Sequence, residues 1–509
     1  MLSIADAEVV DPPGNYPLVA GRTCSKMIGM DFESGAGLLH RLTSYTPERE
    51  WDVPIDDPRV RHDLTANDVT TRPPAVKEYA DAGLSRIALP RELVPVATEA
   101  TAVLAGQPVD PEPLDAAQLG RILFLGAGVV RRAERNGVTM LFRAAGSAGA
   151  RFPLEVYAST RGVAGVPDGV HWYDPVEHAL VQVGPAAEGE ATTLVVTGIP
   201  WRTGWRYAER GWRHIYWDAG TMLSQVLAAA ASAGRQPRLR SEFPDAAVRH
   251  LVGADGVHEF PVALVTFGDG PPAIDATGPA APGGGLPPVE FPLDTAAQRA
   301  GDRDELGAPW PDGPAVTSSP ESAPLDEVIL RRGSKRLMDR SATLPRRDVE
   351  WMTAVAMRGI DVPHWVVAHG VDDVAPGVYR WPDLDRPVVA GDHRERLDFV
   401  CLGQTLGADA AFVAISAIDP ARLDDRSYRA AQLAAGIVEG RLHLAAYALG
   451  AAATGMTFYD SEIPELLREP DDIVALLFTC VGVGEYASRP GGGPGAPAEV
   501  KPVTPRLSW

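Results

Sequence analysis

The sequence predicts an α+β protein built from two similar halves, and three observations support this prediction. A length of 509 residues is too great for one hydrophobic core and suggests about two to four domains. A stretch rich in proline, glycine and serine divides the chain. The segments on either side of that stretch repeat the same order of elements, which is typical of a duplicated unit.

The internal repeat is clearest in two segments that have the length and alanine/leucine content of a buried helix. They read GWRHIYWDAGTMLSQVLAAAASAG and SYRAAQLAAGIVEGRLHLAAYALG. At a constant offset of 216 residues, Gly220 aligns with Gly436, and Gly234 aligns with Gly450. Each pattern predicts a long helix that ends at a glycine, Gly234 in the first half and Gly450 in the second.

Shorter segments of the two halves match in the same way. PDGVHWYDP, from Pro167, and APGVYRWPD, from Ala375, each predict a turn followed by a strand. VALVTFG, from Val262, and VALLFTCVG, from Val474, each predict a buried terminal strand. Each half therefore combines a helix, a strand pair, a long buried helix and a terminal strand. Two such halves favour an intrachain pseudo-dimer, the fused form of an isologous homodimer; two independent units on a linker are the alternative.

Composition predicts where the halves begin and end. GDGPPAIDATGPAAPGGGLPP contains so much proline and glycine that it should not bury enough apolar surface to offset its ordering entropy. The stretch HRLTSYTPEREWDVP, from His40, is polar and suggests an extended arm or a small cap rather than a core element. The predicted divisions are an N-terminal arm or cap (1–94), a first domain (95–267), a linker (268–324), a second domain (325–487) and a flexible tail (488–509).

Charge and cysteine usage narrow the functional classes. A formal net charge of −20 argues against nucleic-acid binding and against an anionic membrane surface, because both need clustered cations. Cys24, Cys401 and Cys480 are far apart in sequence and form no CxxC pair, which favours buried thiols in a reducing compartment. The N-terminal residues lack the features of a signal peptide, so we expect a cytoplasmic protein.

Two short segments have the composition of a ligand site. RRGSKR, at 331–336, combines cations, a serine and a glycine that together can surround a phosphate; a solvated charged surface is the alternative. AGSAG, at 145–149, lies before Pro153 and a strand-like segment, so it does not fit a hydrolase nucleophile elbow. Its small residues would let a flat ring approach the backbone closely.

With these segments, the sequence resembles the nitroreductase superfamily, and within it the SagB-type dehydrogenases, the McbC-like enzymes that form thiazoles and oxazoles in peptides. RRGSKR is similar to a phosphate-binding motif of that family, and AGSAG with the following Phe152-Pro153 is similar to its flavin-ring loop. WRYAERGWR, from Trp205, and GMTFYD, from Gly455, are similar to two later family motifs. The resemblance implies two tandem nitroreductase-like domains in a pseudo-dimer, with an N-terminal extension.

The resemblance implies FMN as the cofactor, held across the interface between the halves. The residues it assigns to FMN are Arg331, Arg332, Ser334, Arg336, Arg143, Ser147, Ala148, Gly149, Gly455 and Met456. In the first half, TAVLAG, at 101–106, stands where the cations would be. In the second half, GIDVPHWVVAHG stands where the ring loop would be and lacks the Ser-Ala-Gly turn. We therefore expect one complete FMN site and one empty counterpart.

The resemblance also implies a reaction. Family dehydrogenases place a Lys-Tyr pair close to the flavin; here the pair is Arg206-Tyr207, and Tyr207 becomes the candidate base or proton relay. Arg206 cannot accept a proton, although its guanidinium would favour the phenolate of a nearby tyrosine. The alternative is that Tyr207 is a core aromatic residue whose hydroxyl is hydrogen-bonded.

We therefore expect an FMN-dependent enzyme of ribosomal-peptide biosynthesis that oxidises peptide thiazolines or oxazolines, with oxygen as final oxidant and a cyclodehydratase as possible partner. Two other functions remain open: an NAD(P)H-dependent reductase of nitroaromatics or quinones, and a degenerate flavin fold that only binds peptides. The sequence contains no HExxH metal motif and no phosphate-binding P-loop.

Overall fold

The computed structural model describes residues 35–50, 56–60, 65–79, 83–135, 137–284, 289–317 and 320–508. Before the first half, helix α1 spans Gly35–Thr43 and strand β1 spans Arg86–Ala88. Helix α1 is not a peripheral arm: Leu39 and His40 are buried, and the Nδ1 atom of His40 lies 2.9 Å from the hydroxyl of Tyr428 in the second half. The polar composition that suggested an extended arm or cap thus hides a buried helix.

The first half contains a sheet flanked by helices, in an order that follows the predicted one. Its elements are α2 (Ala100–Leu104), α3 (Ala116–Ala127), β2 (Val129–Arg135), β3 (Val138–Arg143), β4 (Leu154–Thr160), β5 (Gly169–Asp174), β6 (Ala179–Gly184), β7 (Thr192–Gly198), α4 (Pro200–Tyr207), α5 (Gly211–Ser232), β8 (Pro237–Arg240), α6 (Asp245–Val252) and β9 (Phe260–Phe267). Helix α7 (Pro292–Ala300) follows, between the halves.

The second half repeats this order in part: among the described residues it has no counterpart of strands β2 and β3, and two short helices precede its fourth strand. Its elements are α8 (Leu325–Arg331), α9 (Arg346–Met357), β10 (His364–Ala368), β11 (Gly377–Arg380), β12 (Pro387–Ala390), α10 (Arg394–Val400), α11 (Leu406–Asp409), β13 (Phe412–Ile418), α12 (Asp425–Ala448), β14 (Ala452–Met456), α13 (Ile463–Leu467) and β15 (Val474–Gly482). Strand β16 (Ala498–Glu499) lies in the C-terminal segment. The predicted helices, turn-strand segments and terminal strands are all present, and Gly234 and Gly450 follow the long helices with φ of +68° and +79°.

The two main sheets have the same strand order. In the first half the order is β1-β6-β5-β4-β7-β9-β8, and in the second it is β12-β11-β10-β13-β15-β14. Apart from β1, each strand of the first sheet has its counterpart at the same place in the second. Every pairing within these sheets is antiparallel. The structure therefore has the mixed α/β tandem organisation that the repeat predicts.

The two long helices, α5 and α12, cross at the aligned glycines. A Cβ atom on Gly220 would lie 2.5 Å from the carbonyl oxygen of Leu433, and a Cβ atom on Gly436 would lie 2.7 Å from the Cα atom of Trp217. Real Cβ atoms are not found so close to backbone atoms, so only glycine permits this crossing. The contact is reciprocal, because each glycine approaches the backbone of the other half.

The segment expected to be an unpacked linker is in large part packed. It contains helix α7, and Phe291, Leu293 and Ala297 are at most 1% exposed. Widely spaced apolar residues within a proline-rich sequence suffice to bury one helix face, which mean composition does not reveal.

The segment expected to be a flexible tail is also attached to the rest of the protein. The amide of Gly491 donates to Leu330 at 2.7 Å, and the amide of Gly492 donates to Val130 at 2.8 Å. Strand β16 then pairs in parallel with β2, and β3 completes this small sheet. Backbone hydrogen bonds, which glycine and proline content does not predict, hold this segment in place.

Cys401 and Cys480 are buried, whereas Cys24 lies outside the described residues. In the described ranges, no helix is long and apolar enough to cross a membrane. Among the same residues, His, Cys, Asp and Glu side chains form no group of three or more that could hold a metal ion.

Candidate functional site

Loop 144–149 of the first half lies against segment 331–336 of the second half. The loop follows strand β3, and the segment begins at the last residue of helix α8. A Cβ atom on Gly146 would lie 3.4 Å from Nη1 of Arg332 and 3.5 Å from Oγ of Ser334. The two segments that the sequence singled out, although about 185 residues apart, are therefore neighbours across the interface between the halves.

Arg332 contributes a buried cation with unused hydrogen-bonding capacity. Its Nε and Nη2 atoms donate to the carbonyl oxygen of Ala144 at 3.1 and 2.7 Å. Its Nη1 atom is buried and has no hydrogen-bond partner within the described part of the chain. Burial, reinforced by the charge of Arg131, lowers the pKa of Arg332 to about 10. A buried guanidinium N–H without a partner is costly, so this site favours an anionic ligand.

A carboxyl group on helix α5 holds the loop in position. Asp218 accepts a hydrogen bond from the Ser147 hydroxyl at 2.5 Å and another from the Ala148 amide at 2.9 Å. The Ser147 hydroxyl oxygen in turn accepts from the amide of Phe152 at 2.8 Å. Burial raises the pKa of Asp218 to about 8, although both bonds from the loop act in the opposite direction. Asp218 is therefore a neutral or partly ionised anchor near neutral pH.

The far end of the loop contacts the Arg206-Tyr207 pair at the end of helix α4. Gly149 has a φ of +55°, and a Cβ atom there would lie 2.7 Å from the Tyr207 hydroxyl and 2.7 Å from Cδ of Arg206. Tyr207 is half-buried and its ring centre is 4.2 Å from that of His214, whereas Arg206 is exposed. Within the described residues, the Tyr207 hydroxyl has no hydrogen-bond partner, unlike that of a typical core tyrosine.

Helix α12 contributes polar side chains that the sequence analysis did not identify. The Glu439 carboxylate lies against Gly455 of strand β14, within 2.9 Å of where a Cβ atom would be, and 3.5 Å from Nε2 of His443. Burial lowers the pKa of His443, against the effect of Glu439. At the offset of 216, Glu439 and His443 align with Leu223 and Leu227, which are apolar. This polar-for-apolar difference within the repeat is the signal that could have revealed them.

The hydrogen bonds of two other predicted site residues, Arg331 and Arg336, do not involve loop 144–149. Arg331 is exposed, and its Nε donates to the Glu327 carbonyl of its own helix at 3.4 Å. Arg336 is half-buried, and its backbone amide donates to the Tyr486 hydroxyl at 3.2 Å. Met456 is buried in the core.

Arg143 is buried at the edge of a cavity beside the loop. The cavity is lined in part by Arg143, Gly146, Ser147 and Asp218. Arg143 donates from Nη1 to the Leu154 carbonyl at 2.7 Å, and its Nη2 atom lies 3.9 Å from a carboxylate oxygen of the buried Glu155. Because Glu155 already offsets the charge of this guanidinium, the anion preference of the site rests on Arg332.

Three charged residues of the two later motifs, Arg210, Arg213 and Asp460, form a buried ion-pair cluster. Asp460 accepts from Arg210 at 2.6 Å and from Arg213 at 2.7 Å. It also accepts from the backbone amide of Tyr45 at 2.8 Å. Burial acts to raise the pKa of Asp460, but the two guanidinium groups outweigh it and lower the value to about 2. This cluster joins both halves to the segment after helix α1, so these motif residues have a structural role.

Comparison with known proteins gives a family match for the first half. Residues 108–269 match the model of the nitroreductase family. A protein from Methanocaldococcus jannaschii that bears the name nitroreductase is 28% identical over 171 residues, which are 31% of this chain and 81% of the relative. The family points to an oxidoreductase with a flavin-type fold.

Solved structures extend the likeness in fold. A crystal structure of a protein from Anabaena variabilis, named as a nitroreductase, covers 89% of this chain and 100% of its own, with 22% identity and a TM-score of 0.68. The E. coli microcin synthetase McbBCD complex with truncated pro-MccB17 covers 38% of this chain and 77% of its own, with 19% identity and a TM-score of 0.26. The first comparison shows that the likeness in fold extends over most of the chain. The TM-score of the second is too low to support any conclusion about function.

Proposed function

We propose that this protein is an FMN-dependent oxidoreductase that dehydrogenates azoline rings of a peptide to azoles. The observation that carries the proposal is the meeting of Arg332 with Gly146 across the halves. The buried Nη1 atom of Arg332 needs an anionic partner, and Gly146 keeps the space beside it free of a side chain. A phosphate beside a flat ring meets both requirements.

The donor groups fit this cofactor. Arg332 and Ser334 would hold the phosphate. Residues Gly146 to Gly149 would lie against the ring, with Asp218 holding the loop through Ser147 and Ala148. FMN, when bound, supplies the two-electron acceptor for the substrate hydride.

Proton removal is assigned to this chain's own residues. Dehydrogenation of an azoline releases one hydride and one proton, so the hydride needs an acceptor and the proton a base. The hydroxyl of Tyr207 is half-buried, contacts Gly149 and has no competing hydrogen bond among the described residues. Its oxygen would take or relay the proton, while the Arg206 side chain beside it supplies positive charge.

The tandem arrangement explains why one chain has both parts of the site. We infer that the halves, 95–267 and 325–487, are the fused form of an isologous dimer, supported by equal strand order and by the reciprocal contact of Gly220 with Gly436. On this view neither half could hold FMN alone. A peptide substrate implies that a cyclodehydratase acts before this enzyme, since an azoline must first be formed.

A second candidate function is the NAD(P)H-dependent reduction of nitroaromatics or quinones. The match of residues 108–269 to the nitroreductase family favours it. The two candidates differ in the reductant, because the azoline dehydrogenase takes its electrons from the substrate and returns them to oxygen.

The test uses the purified full-length chain. We expect a flavin absorbance spectrum, one FMN released by heat per polypeptide, and loss of two mass units from an azoline-containing peptide in air. Rapid bleaching of the flavin by NADPH without azoline oxidation would favour the reductase. Absence of flavin together with peptide binding would favour a degenerate flavin fold that only binds peptides. Two FMN molecules per chain would contradict the single composite site.

A further inference from the structure

The pseudo-symmetric counterpart of the site is a cavity of about 420 Å³. Gly106, just after helix α2, takes the place of segment 331–336, and residues 358–360, just after helix α9, take the place of loop 144–149. The cavity is also lined by Ser224 of helix α5 and Ile437 of helix α12. Its volume is within the usual range for small-molecule sites.

Three arginines line this cavity, together with one carboxylate, that of Asp312. Arg235, Arg358 and Arg441 form no direct ion pair among the described residues, although the charge of Asp312 favours the charged forms of Arg358 and Arg441. The Nε atoms of Arg235 and Arg358 are buried and have no hydrogen-bond partner in the same part of the chain. Burial and then the charge of Arg358 lower the pKa of Arg441 to about 10. Converging cations with unused donors favour an anion.

The other walls of the cavity combine polar and apolar groups. The polar residues include Gln107, Ser224, Gln236 and Asp312, and the apolar residues include Leu104, Leu227, Leu239, Trp310, Ile360 and Ile437. The Trp310 ring is held in place by two bonds, from its indole nitrogen to Ser241 at 2.8 Å and from its amide to Leu239 at 2.8 Å. An aromatic wall beside a cationic one suits a ligand that has an apolar body and a charged head.

The segment between the halves lines one side of the cavity and packs against the turn at 358–360. The amide of Val316 donates to Ala105 at 2.9 Å, and Nη1 of Arg358 donates to Gly313 at 3.4 Å. Gly313 has a φ of +70°, and a Cβ atom there would lie 2.8 Å from Cα of Gly359. The Arg358 guanidinium also lies against Gly106. Backbone therefore covers the turn that corresponds to the flavin-ring loop of the first site.

We propose that this cavity binds a small organic anion, a carboxylate or a phosphate monoester with one apolar ring or short chain. Arg235, Arg358 and Arg441 hold the charged head, and Trp310 and Ile360 contact the apolar body. The inference does not depend on the proposed azoline chemistry, since it rests on the residues of the second cavity alone.

Calorimetric titration of the purified full-length protein tests the proposal with four probes: phenyl phosphate, benzoate, inorganic phosphate and phenol. We expect one molecule of phenyl phosphate or benzoate per chain, bound at least tenfold more tightly than inorganic phosphate or phenol. The stronger of the two anionic probes identifies the head group. Equal binding of phenol, or binding of none of the four, would overturn the proposal.

Variants locate the binding. Arg235→Gln removes a cation whose side chain has no hydrogen bond in the described structure, and we expect at least tenfold weaker binding with an unchanged melting temperature. Arg441→Gln should weaken it similarly, although its bonds to Ala356 and Arg358 also support the fold. Arg347→Ala, an 86% exposed side chain, is the control and should bind the probe normally. Loss of binding in Arg332→Ala instead of Arg235→Gln would place the probe in the first site and contradict the proposal.

Discussion

The two interface regions share one scaffold but differ in where their cations come from. In the first site, Arg332 follows helix α8 and points across to the loop at Gly146. In the second cavity, Arg358 follows helix α9 and points in the reverse direction, to Gly106. Both regions lie beside the crossing helices α5 and α12.

The covering of the two regions differs as well. The first has a glycine-rich loop held by Asp218, whereas the second is covered by backbone around Gly313. In a homodimer, any change to one site would be repeated in the other. A fused chain removes this constraint, so each region can acquire its own ligand preference while the shared helix crossing is retained.

Replacing the candidate base, Tyr207, should have the largest effect of the changes considered. We expect it to lower turnover at the first site and to leave the second cavity unchanged. Tyr207→Phe keeps the ring but removes its hydroxyl, so turnover of an azoline peptide should fall about 10²–10⁴-fold, the usual contribution of general acid–base catalysis. Flavin content and melting temperature should remain near those of the wild type, because the hydroxyl has no hydrogen-bond partner in the described residues. Mass spectrometry of the peptide measures turnover. Full activity in a stable, flavin-loaded variant would show that the base lies elsewhere.

Matched arginine substitutions compare the two regions directly. Arg332→Ala removes charge-assisted bonds to a phosphate, each worth about 1.5–3 kcal/mol, so FMN affinity should fall about ten- to a hundredfold. Arg358→Ala removes the counterpart arginine from the second cavity and should leave FMN affinity unchanged. Fluorescence titration of the flavin-free protein with FMN gives both values. Equal losses, or no loss from Arg332→Ala, would remove Arg332 from the flavin site.

A substitution at the crossing of helices α5 and α12 should destabilise the scaffold that both regions share. A Cβ atom in Gly436→Ala would lie 2.7 Å from Cα of Trp217, so the helices must move apart. We expect a decrease in the free energy of unfolding of about 1–3 kcal/mol, although the higher helix propensity of alanine offsets part of it. Denaturant unfolding measures the change. Gly493→Ala, where nothing lies within 4 Å of the added atom, is the control and should stay within about 0.5 kcal/mol.

The anchor of the loop should give the smallest change near pH 4, about the pKa of the unfolded carboxyl group, and a larger one at higher pH. Burial raises the pKa of Asp218 to about 8, above the value of about 3.9 expected when unfolded. The folded protein then binds more protons than the unfolded one between about pH 4 and 8, so this group makes the free energy of unfolding fall as pH rises through that range. Asp218→Asn is neutral throughout and mimics the protonated acid.

Denaturant unfolding of Asp218→Asn and wild type at about pH 4, 6 and 8 checks this assignment. The variant should be close to wild type near pH 4 and gain stability relative to it up to about pH 8. A difference that does not change with pH would show that Asp218 titrates normally. Glu465→Gln, with its 69% exposed side chain, serves as the pH control.

Sequence patterns predicted the regular elements well where the signal is local. The long helices α5 and α12, the strand after each turn glycine and the two terminal strands follow from periodicity and from glycine positions. Helices α1 and α7 were missed, because the polar and proline-rich composition of their segments obscures short buried faces. For the site, resemblance to a family brought together segment 331–336 and loop 144–149, but Asp218 and Glu439 were missed because a single acid on an apolar helix has no motif.

The sequence by itself determined the duplication, the α+β class and the asymmetry of cations between the two halves. These follow from residue identity and spacing, which need no knowledge of the partner segment. Only the tertiary structure decided that helices α5 and α12 cross at Gly220 and Gly436, that residues 310–313 line the second cavity, and that Arg332 retains an unpaired buried nitrogen. Each of these depends on contacts between residues distant in sequence, whose packing and desolvation no local pattern encodes.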